Sequence, residues 1–304
     1  MYLFQYVHRR YIVEVRKRMV ELLKSNETII VPGVYDALLG RIVEQVGFQA
    51  VYMTGAGVSY STLGKPDLGL VTLSEMVTRA KQICDAVDIP VIADADNGFG
   101  NALNVMRTVN EYEKAGVSII QIEDQIFPKK CGHMEDKELV SSEEMVQKIK
   151  AALDARQDPN FLIMARTDAR GVYGLEEAIK RAQQYEEAGA DVIFVESPQS
   201  VEELKEIRAN LSTYLLANMV EGGKTPILER DELQKLGYSI VIYPGAISRY
   251  MIPNVTKMLT NLKDKGTTKD YHQQMFMFNE MNKMLDLPHY EQLQKKYKHE
   301  KPII

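Results

Sequence analysis

Residues 90–124 read PVIADADNGFGNALNVMRTVNEYEKAGVSIIQIED. An apolar run at 90–96 ends in the turn Asn97-Gly98-Phe99-Gly100. Helical periodicity then occupies 102–114 and stops before Gly116, and a second apolar run follows at 118–124. Strands that are apolar on both faces are those buried on both faces. Two of them joined by a helix read as a parallel pair with its crossover.

The same unit recurs in both directions. Strand candidates lie at 29–34, 50–55, 90–96, 118–124, 161–168, 191–197, 214–220 and 240–244, which makes eight. Helical periodicity lies between them at 37–46, 73–86, 102–114, 142–155, 175–187 and 231–235. Gly47, Gly116, Gly189 and Gly237 follow helices where a left-handed residue closes the last turn. Eight units with no break in composition predict a single (β/α)₈ TIM barrel over residues 29–265. The competing fold is a doubly wound open sheet, but no G-x-G-x-x-G opens the first helix.

Two extensions flank the barrel. Residues 1–28 read as an N-terminal helix with Val13, Val15, Val20, Leu22 and Leu23 as its apolar content. Residues 266–304 read as a helical tail whose Met275, Phe276, Phe278, Met281, Met284 and Leu285 form a dense apolar face. A face this large needs cover, either from its own barrel or from a neighbouring subunit.

Composition narrows the class. Apolar content of 45% and charged content of 26% are those of an ordinary globular protein. A net charge of -5 leaves no basic footprint for nucleic acid or an anionic membrane. No apolar run of about eighteen residues is present to span a bilayer. Met1 to Arg18 lacks the apolar core and cleavage site of a signal peptide. The two cysteines, Cys84 and Cys131, are too few for a disulfide framework. A cytoplasmic protein is the expectation.

In such a barrel the chemistry belongs to the carboxyl ends of the strands. Asp94 and Asp96 stand two apart and are read as sharing one face of the third strand, with Glu123 at a similar height on the fourth. Three converging carboxylates repel unless a cation sits among them. Hard oxygen ligands favour Mg²⁺, with Mn²⁺ as a substitute, over zinc. Each acid could instead pair with a lysine or cap a loop. Cys131 lies in Lys129-Lys130-Cys131-Gly132-His133, where flanking cations are expected to favour thiolate for proton donation or attack. Cys84 reads as a small buried hydrophobe. Arg166, pointing into the mouth, needs an anion: a substrate carboxylate, or an internal partner in Glu123 or Glu196. Asp67, in the turn-rich loop 63–69, either reaches the metal's water shell or closes the turn.

Together, Asp94-Ala-Asp96-Asn-Gly-Phe-Gly, Ile122-Glu123-Asp124-Gln125, Lys-Lys-Cys131-Gly-His and Ala165-Arg166-Thr-Asp168 resemble the isocitrate lyase/phosphoenolpyruvate mutase superfamily, over about residues 29–265. The resemblance implies a Mg²⁺ site at Asp94, Asp96 and Glu123, with Asp67 beside it. It implies that Thr54, Gly55 and Ala56 bind the oxo-acid end of a small carboxylate substrate, and that Arg166, Glu196 and Asn218 line the pocket. Cys131 matches the catalytic cysteine of the lyase branch, Lys129, Gly132 and His133 its loop, and Tyr52 a base proposed in some members. A homotetramer, a dimer of dimers in which the eighth barrel helix and tail are exchanged between subunits, is also implied.

The cysteine loop resembles that of lyases and not that of the mutases, and Pro244 stands near where dedicated oxaloacetate hydrolases carry serine. After strand seven, Asn218-Met-Val220-Glu221-Gly222-Gly223 departs from the Asn-x-Thr of 2-methylisocitrate lyases. Valine cannot donate a hydrogen bond to an extra carboxylate. The resemblance is then to the 2,3-dimethylmalate lyase and petal-death-protein group. It implies retro-aldol cleavage of an alkylmalate to a 2-oxo acid such as pyruvate plus a carboxylate. 2-Methylisocitrate cleavage, oxaloacetate decarboxylation and phosphonomutase-type chemistry are the alternatives.

Overall fold

The computed structural model describes residues 2–298, with side chains from Tyr11 onward; the last part of the expected tail, 299–304, lies outside the described residues. Eight strands, β1 (Ile29–Val34), β2 (Val51–Met53), β3 (Val91–Asp94), β4 (Ile119–Glu123), β5 (Leu162–Thr167), β6 (Val192–Val195), β7 (Tyr214–Asn218) and β8 (Ile240–Tyr243), pair in chain order into a closed barrel. Every pairing is parallel, and β1 closes on β8 through Ile29–Ile240 and Val31–Ile242. The expected TIM barrel is the fold.

Alternation along each strand separates two cores. Ile29 and Val31, Tyr52, Ile92, Ile119, Met164, Phe194, Leu216 and Ile242 fill the barrel interior. Their neighbours, among them Val51, Ala93, Ile120, Ile163, Ile193 and Val241, face outward under the helices. Continuing the inward set up each strand puts Asp94, Gln121, Glu123, Arg166, Glu196 and Asn218 at the carboxyl end. Charge at the mouth is therefore the continuation of an apolar stack below it.

The helix Tyr2–Lys24 stoppers the opposite end, since Met19 and Leu23 join the interior cluster. Arg16 anchors it. Its guanidinium donates to the Val117 carbonyl at 2.8 Å, to Asp158 at 3.1 Å and to the Glu113 carbonyl, and lies over the Phe161 ring. The crossover helices start on side-chain caps: Asp36, Thr72, Asn101, Ser141 and Ser200 each accept a backbone N–H of the first turn.

The helix Gly55–Leu63 and the single turn Ala169–Val172 were not anticipated. The GAGVSYSTL sequence of the first is a poor helix former, and it starts on the Thr54 cap. Val201–Asn210 is the crossover that the eight units require between β6 and β7.

The chain divides into two compact units, Met1–Ser248 and Arg249–Ile304. The division falls early in the helix Ala246–Lys265, where the sequence reading put the boundary at 265. The second unit holds the rest of that helix, the 3₁₀ turn Lys269–Gln274 and the helices Phe278–Met284 and Leu287–Lys296. Tyr250, Ile252, Leu259, Phe276 and Phe278 are exposed on it.

The barrel closes tightly at Gly33. A Cβ there would stand 2.5 Å from both the Cα and the carbonyl oxygen of Pro244, backbone atoms that cannot rotate away. Gly33→Ala is expected to force the β1–β8 seam apart and destabilise the protein by about 1–3 kcal/mol, read as a lower urea midpoint with unchanged m-value.

Candidate active site

The acidic side of the mouth is built from β3, β4 and the turn after β3. Asp94 is the last residue of β3 and pairs in register with Gln121. Its carboxylate accepts from the Gly55 N–H at 3.3 Å, from Gln121 Nε2 at 3.3 Å and from the Asp96 N–H at 3.0 Å. Asp96 does not reach the mouth by strand alternation, as the sequence reading supposed. It lies past the end of β3 with φ 48°, and the turn swings it inward. Its carbonyl accepts from Glu123 N–H at 2.9 Å, so Glu123 stands level with Asp96, one step above Asp94. Tyr52 is buried below them and donates to Gln121 Oε1 at 2.9 Å.

These acids are short of positive charge. Glu123 Oε1 is buried with no hydrogen-bond partner. Burial pushes the Glu123 carboxyl well above its ordinary value and that of Asp96 up to about 7, against the pull of nearby cations. Lys129 supplies the charge Asp96 has. Its ammonium is 2.7 Å from Asp96 Oδ1 and 2.7 Å from Asp67 Oδ1, and only 3% of its side chain is exposed. Asp67 therefore meets the acid cluster through a lysine. Among the described residues no three His, Cys, Asp or Glu side chains stand at metal-ligating spacing. An orphaned carboxylate oxygen in a group of hard oxygen donors nonetheless fits a divalent cation.

The opposite side is cationic at its centre. Arg166, on β5, donates from Nε to Asp168 Oδ2 at 2.9 Å and from Nη2 to Oδ1 at 3.1 Å. Glu123 lies 3.5 Å and Glu196 3.9 Å from it, and its Cζ lies over the Phe194 ring, 5.0 Å from the ring centroid. Both internal partners expected from the sequence are present, but neither is the main one. Burial opposes the charge of Glu196, yet Arg166 and His133 hold its carboxyl down to about 2. Asn218 Nδ2 donates to both Glu196 oxygens, at 3.3 and 3.2 Å. Thr54 and Gly55 are buried at the β2 end, where Thr54 caps the next helix, and Ala56 follows in its first turn.

One loop spans the two sides. Lys129 ties it to the acids, and His133 Nε2 lies 3.0 Å from Glu196 Oε1. Between them Gly132 packs so closely on Arg166 and Glu196 that a Cβ would stand 2.7 Å from Glu196 Oε1. Cys131 is half-buried in this loop. Its flanking cations do not favour thiolate as expected: Lys129 turns to Asp67 and Asp96, and Lys130 to the Asp136 carbonyl. Burial pushes the Cys131 thiol up, which opposes thiolate. Cys84 is half-buried on its helix, with burial pushing its thiol up to about 12.

Sequence reasoning left Gln121, Lys137 and Asp168 without a role. Asp168 was visible only as the end of the Arg166-Thr-Asp motif, and nothing local marks it as the partner of Arg166.

A parallel eight-stranded barrel with clustered acids, a buried arginine and a thiol loop at its carboxyl end is the arrangement of an acid-processing TIM-barrel enzyme. The chain belongs to the phosphoenolpyruvate phosphomutase family, whose model matches residues 19–263. It is 52% identical over 280 residues to the 2,3-dimethylmalate lyase of Eubacterium barkeri, covering 92% of this chain and 97% of that one. It is 46% identical over 271 residues to the 2-methylisocitrate lyase of Aeropyrum pernix, covering 89% and 87%. A solved structure of phosphonopyruvate hydrolase in complex with oxalate and Mg²⁺ superimposes with a TM-score of 0.84 at 29% identity, over 93% of this chain and 98% of that one.

Because the Glu196 carboxyl is depressed in the fold, it contributes stability fully above its ordinary value near 4.5, lost as pH falls toward about 2. Glu196→Gln is expected to flatten the loss of stability between about pH 5 and pH 2, about the span of that shift. Denaturant midpoints across that range measure it. An acid limb as steep as the parent's would show that Glu196 is not held down.

Proposed function

We propose that this chain is a carbon–carbon lyase that cleaves a 2-hydroxy dicarboxylate, an alkylmalate such as 2,3-dimethylmalate, into a 2-oxo acid and a carboxylate. The observation that carries the reading is the loop Lys129–His133. It touches the acid cluster at one end and the arginine pocket at the other, with the Cys131 thiol between.

Asp94, Asp96 and Glu123 would hold Mg²⁺ or Mn²⁺; a bound divalent ion there supplies Lewis-acid polarisation of the hydroxy- or oxo-acid oxygens. The chain's own residues account for the rest. Thr54, Gly55 and Ala56 receive the oxo-acid end through a helix N-terminus. Tyr52, or a water held by Asp67, takes the 2-hydroxyl proton. The C2–C3 bond then breaks, its electron pair passes to C3, and the fragment becomes the enolate of a carboxylate. Arg166, with Asn218 beside it, balances the growing charge on that carboxylate. Cys131 gives its proton to C3, the carbon that receives the electron pair. Lys129, Gly132 and His133 hold the loop over the mouth and exclude water. Burial, and next Asp94, push the Tyr52 phenol well above its ordinary value, and it donates to Gln121 Oε1 at 2.9 Å.

Val220 supports the dicarboxylate. It is buried after β7 and offers no donor to a third carboxylate. The relative from Eubacterium barkeri supports the same substrate. The reading includes a cytoplasmic homotetramer, a dimer of dimers that exchanges the tail. The two free cysteines and the exposed apolar residues of the second unit support it.

A panel of 2,3-dimethylmalate, other alkylmalates, 2-methylisocitrate and oxaloacetate, assayed for 2-oxo-acid release, tests the substrate. Fastest release from 2-methylisocitrate would overturn the assignment drawn from Val220. Cys131→Ser is expected to lower kcat at least about 100-fold with the fold intact; near-parental turnover rules out the proton donor. Chelation should abolish turnover and Mg²⁺ restore it, whereas activity surviving exhaustive chelation removes the metal.

A further inference from the structure

Lys137 is a buried cation that the chemistry above does not use. Its side chain is 3% exposed, and it lies on the return segment of the cysteine loop. Its ammonium donates to Asp168 Oδ1 at 2.7 Å and to the carbonyl of Gly132. Those two acceptors belong to different parts of the site. Asp168 is the residue that grips Arg166 with both oxygens, and Gly132 is the residue next to Cys131.

Asp168 is itself fixed from behind. Its backbone N–H donates to Asp124 Oδ1 at 2.9 Å. The other oxygen of Asp124 accepts from Thr167 Oγ1, Arg181 Nη1 and Tyr185 Oη at 2.7 to 3.2 Å. Asp124 and Asp168 are both fully buried. A solvated, mobile loop does not normally commit a buried lysine to one of its own carbonyls, because desolvating the ammonium is repaid only by well-placed partners.

We infer that Lys137 and Asp168 are positioning residues that latch the Cys131 loop to the arginine pocket, setting the distance between the proton donor and the group that balances the developing anion. Asp168 holds the guanidinium with both carboxylate oxygens, and Lys137 transfers that fixed position to the Gly132 carbonyl. Arg166 and Cys131 thereby share one rigid reference, Asp124, instead of moving with separate loops. A proton transfer to carbon tolerates little misplacement, so such a reference acts on turnover more than on substrate binding.

The role assigned to the latch rests on the proposed lyase reading, but the latch itself can be tested without turnover. Iodoacetamide labelling, resolved by peptide mass spectrometry, reports Cys131 and Cys84 separately. In Lys137→Met and in Lys137→Gln, Cys131 is expected to label about tenfold faster, as the loop opens more often. Cys84 should stay as protected as in the parent, and Lys137→Arg should recover most of the protection at Cys131. Unchanged labelling of Cys131 in both variants would overturn the latch. So would equal deprotection of both cysteines, which would make Lys137 a residue of the fold at large. With 2,3-dimethylmalate, kcat should fall roughly tenfold or more while KM changes less; a rise in KM alone would remove the positioning role. If the parent protein cleaves none of the acids tested, the lyase reading fails while the labelling result still decides the latch.

Discussion

A guanidinium cannot be buried without anions around it, and Arg166 is 7% exposed at the centre of the barrel mouth. It cannot leave, because strand alternation on β5 stacks it directly above Met164 in the apolar interior. Its surroundings are arranged to satisfy it. Asp168 returns from beyond the strand to take two of its N–H groups, Glu123 and Glu196 approach from either side, and Phe194 offers its ring face. Asp124 pins Asp168, Lys137 shares it, and His133 and Asn218 share Glu196. Most of the polar order at this end of the barrel follows from that one charge.

The acids outnumber the cations even so. Asp67, Asp94, Asp96, Glu123, Asp168 and Glu196 are all buried, against Lys129, Lys137 and Arg166 as permanent cations. The surplus is not spread evenly. Glu196 and Asp168 sit below their ordinary range because Arg166 is near, although burial opposes both. Asp96 and Glu123 sit above theirs because burial outweighs the cations they have. The deficit of positive charge is thus local to the β3–β4 side, where hard oxygen donors cluster. The polarity needed to split a carbon–carbon bond is built in, with one side suited to a cation and the other already holding one.

The barrel was legible in the sequence because its determinants are local. Apolar runs repeat eight times, with helical periodicity between them and closing glycines after four of the helices, and each can be read within about thirty residues. The rim acids were legible because strand ends expose their residues in order. What could not be read were contacts between segments far apart in the chain. Lys129 looked like a neighbour that would acidify Cys131, yet it reaches 62 residues back to Asp67. Asp168 looked like the tail of a motif, yet it answers Arg166, Lys137 and Asp124 at once. Asp96 was placed correctly for the wrong reason, since a left-handed backbone and not strand alternation turns it inward. The helix Gly55–Leu63 was missed because its residues favour turns, and only its Thr54 cap and tertiary packing make it helical.

Substrate size and proton delivery are not independent in this arrangement. The segment after β7, which carries Val220, packs on the thiol loop: Lys224 N–H donates to His133 Nδ1 at 3.3 Å, and Lys224 Nζ donates to Glu135 at 2.7 Å. A Cβ on Gly223 would stand 2.8 Å from the His133 ring, so the segment must lie flat against it. A larger acid that displaces the β7 segment also pushes on His133, and through it on Glu196 and the seat of Gly132. Exchanging Val220 for a hydrogen-bonding residue would add a donor for a third carboxylate but leave the thiol loop set for the smaller acid. Under the proposed reading, a change of substrate in this barrel requires matched change in both segments, because the segment that carries Val220 and the thiol loop rest on each other.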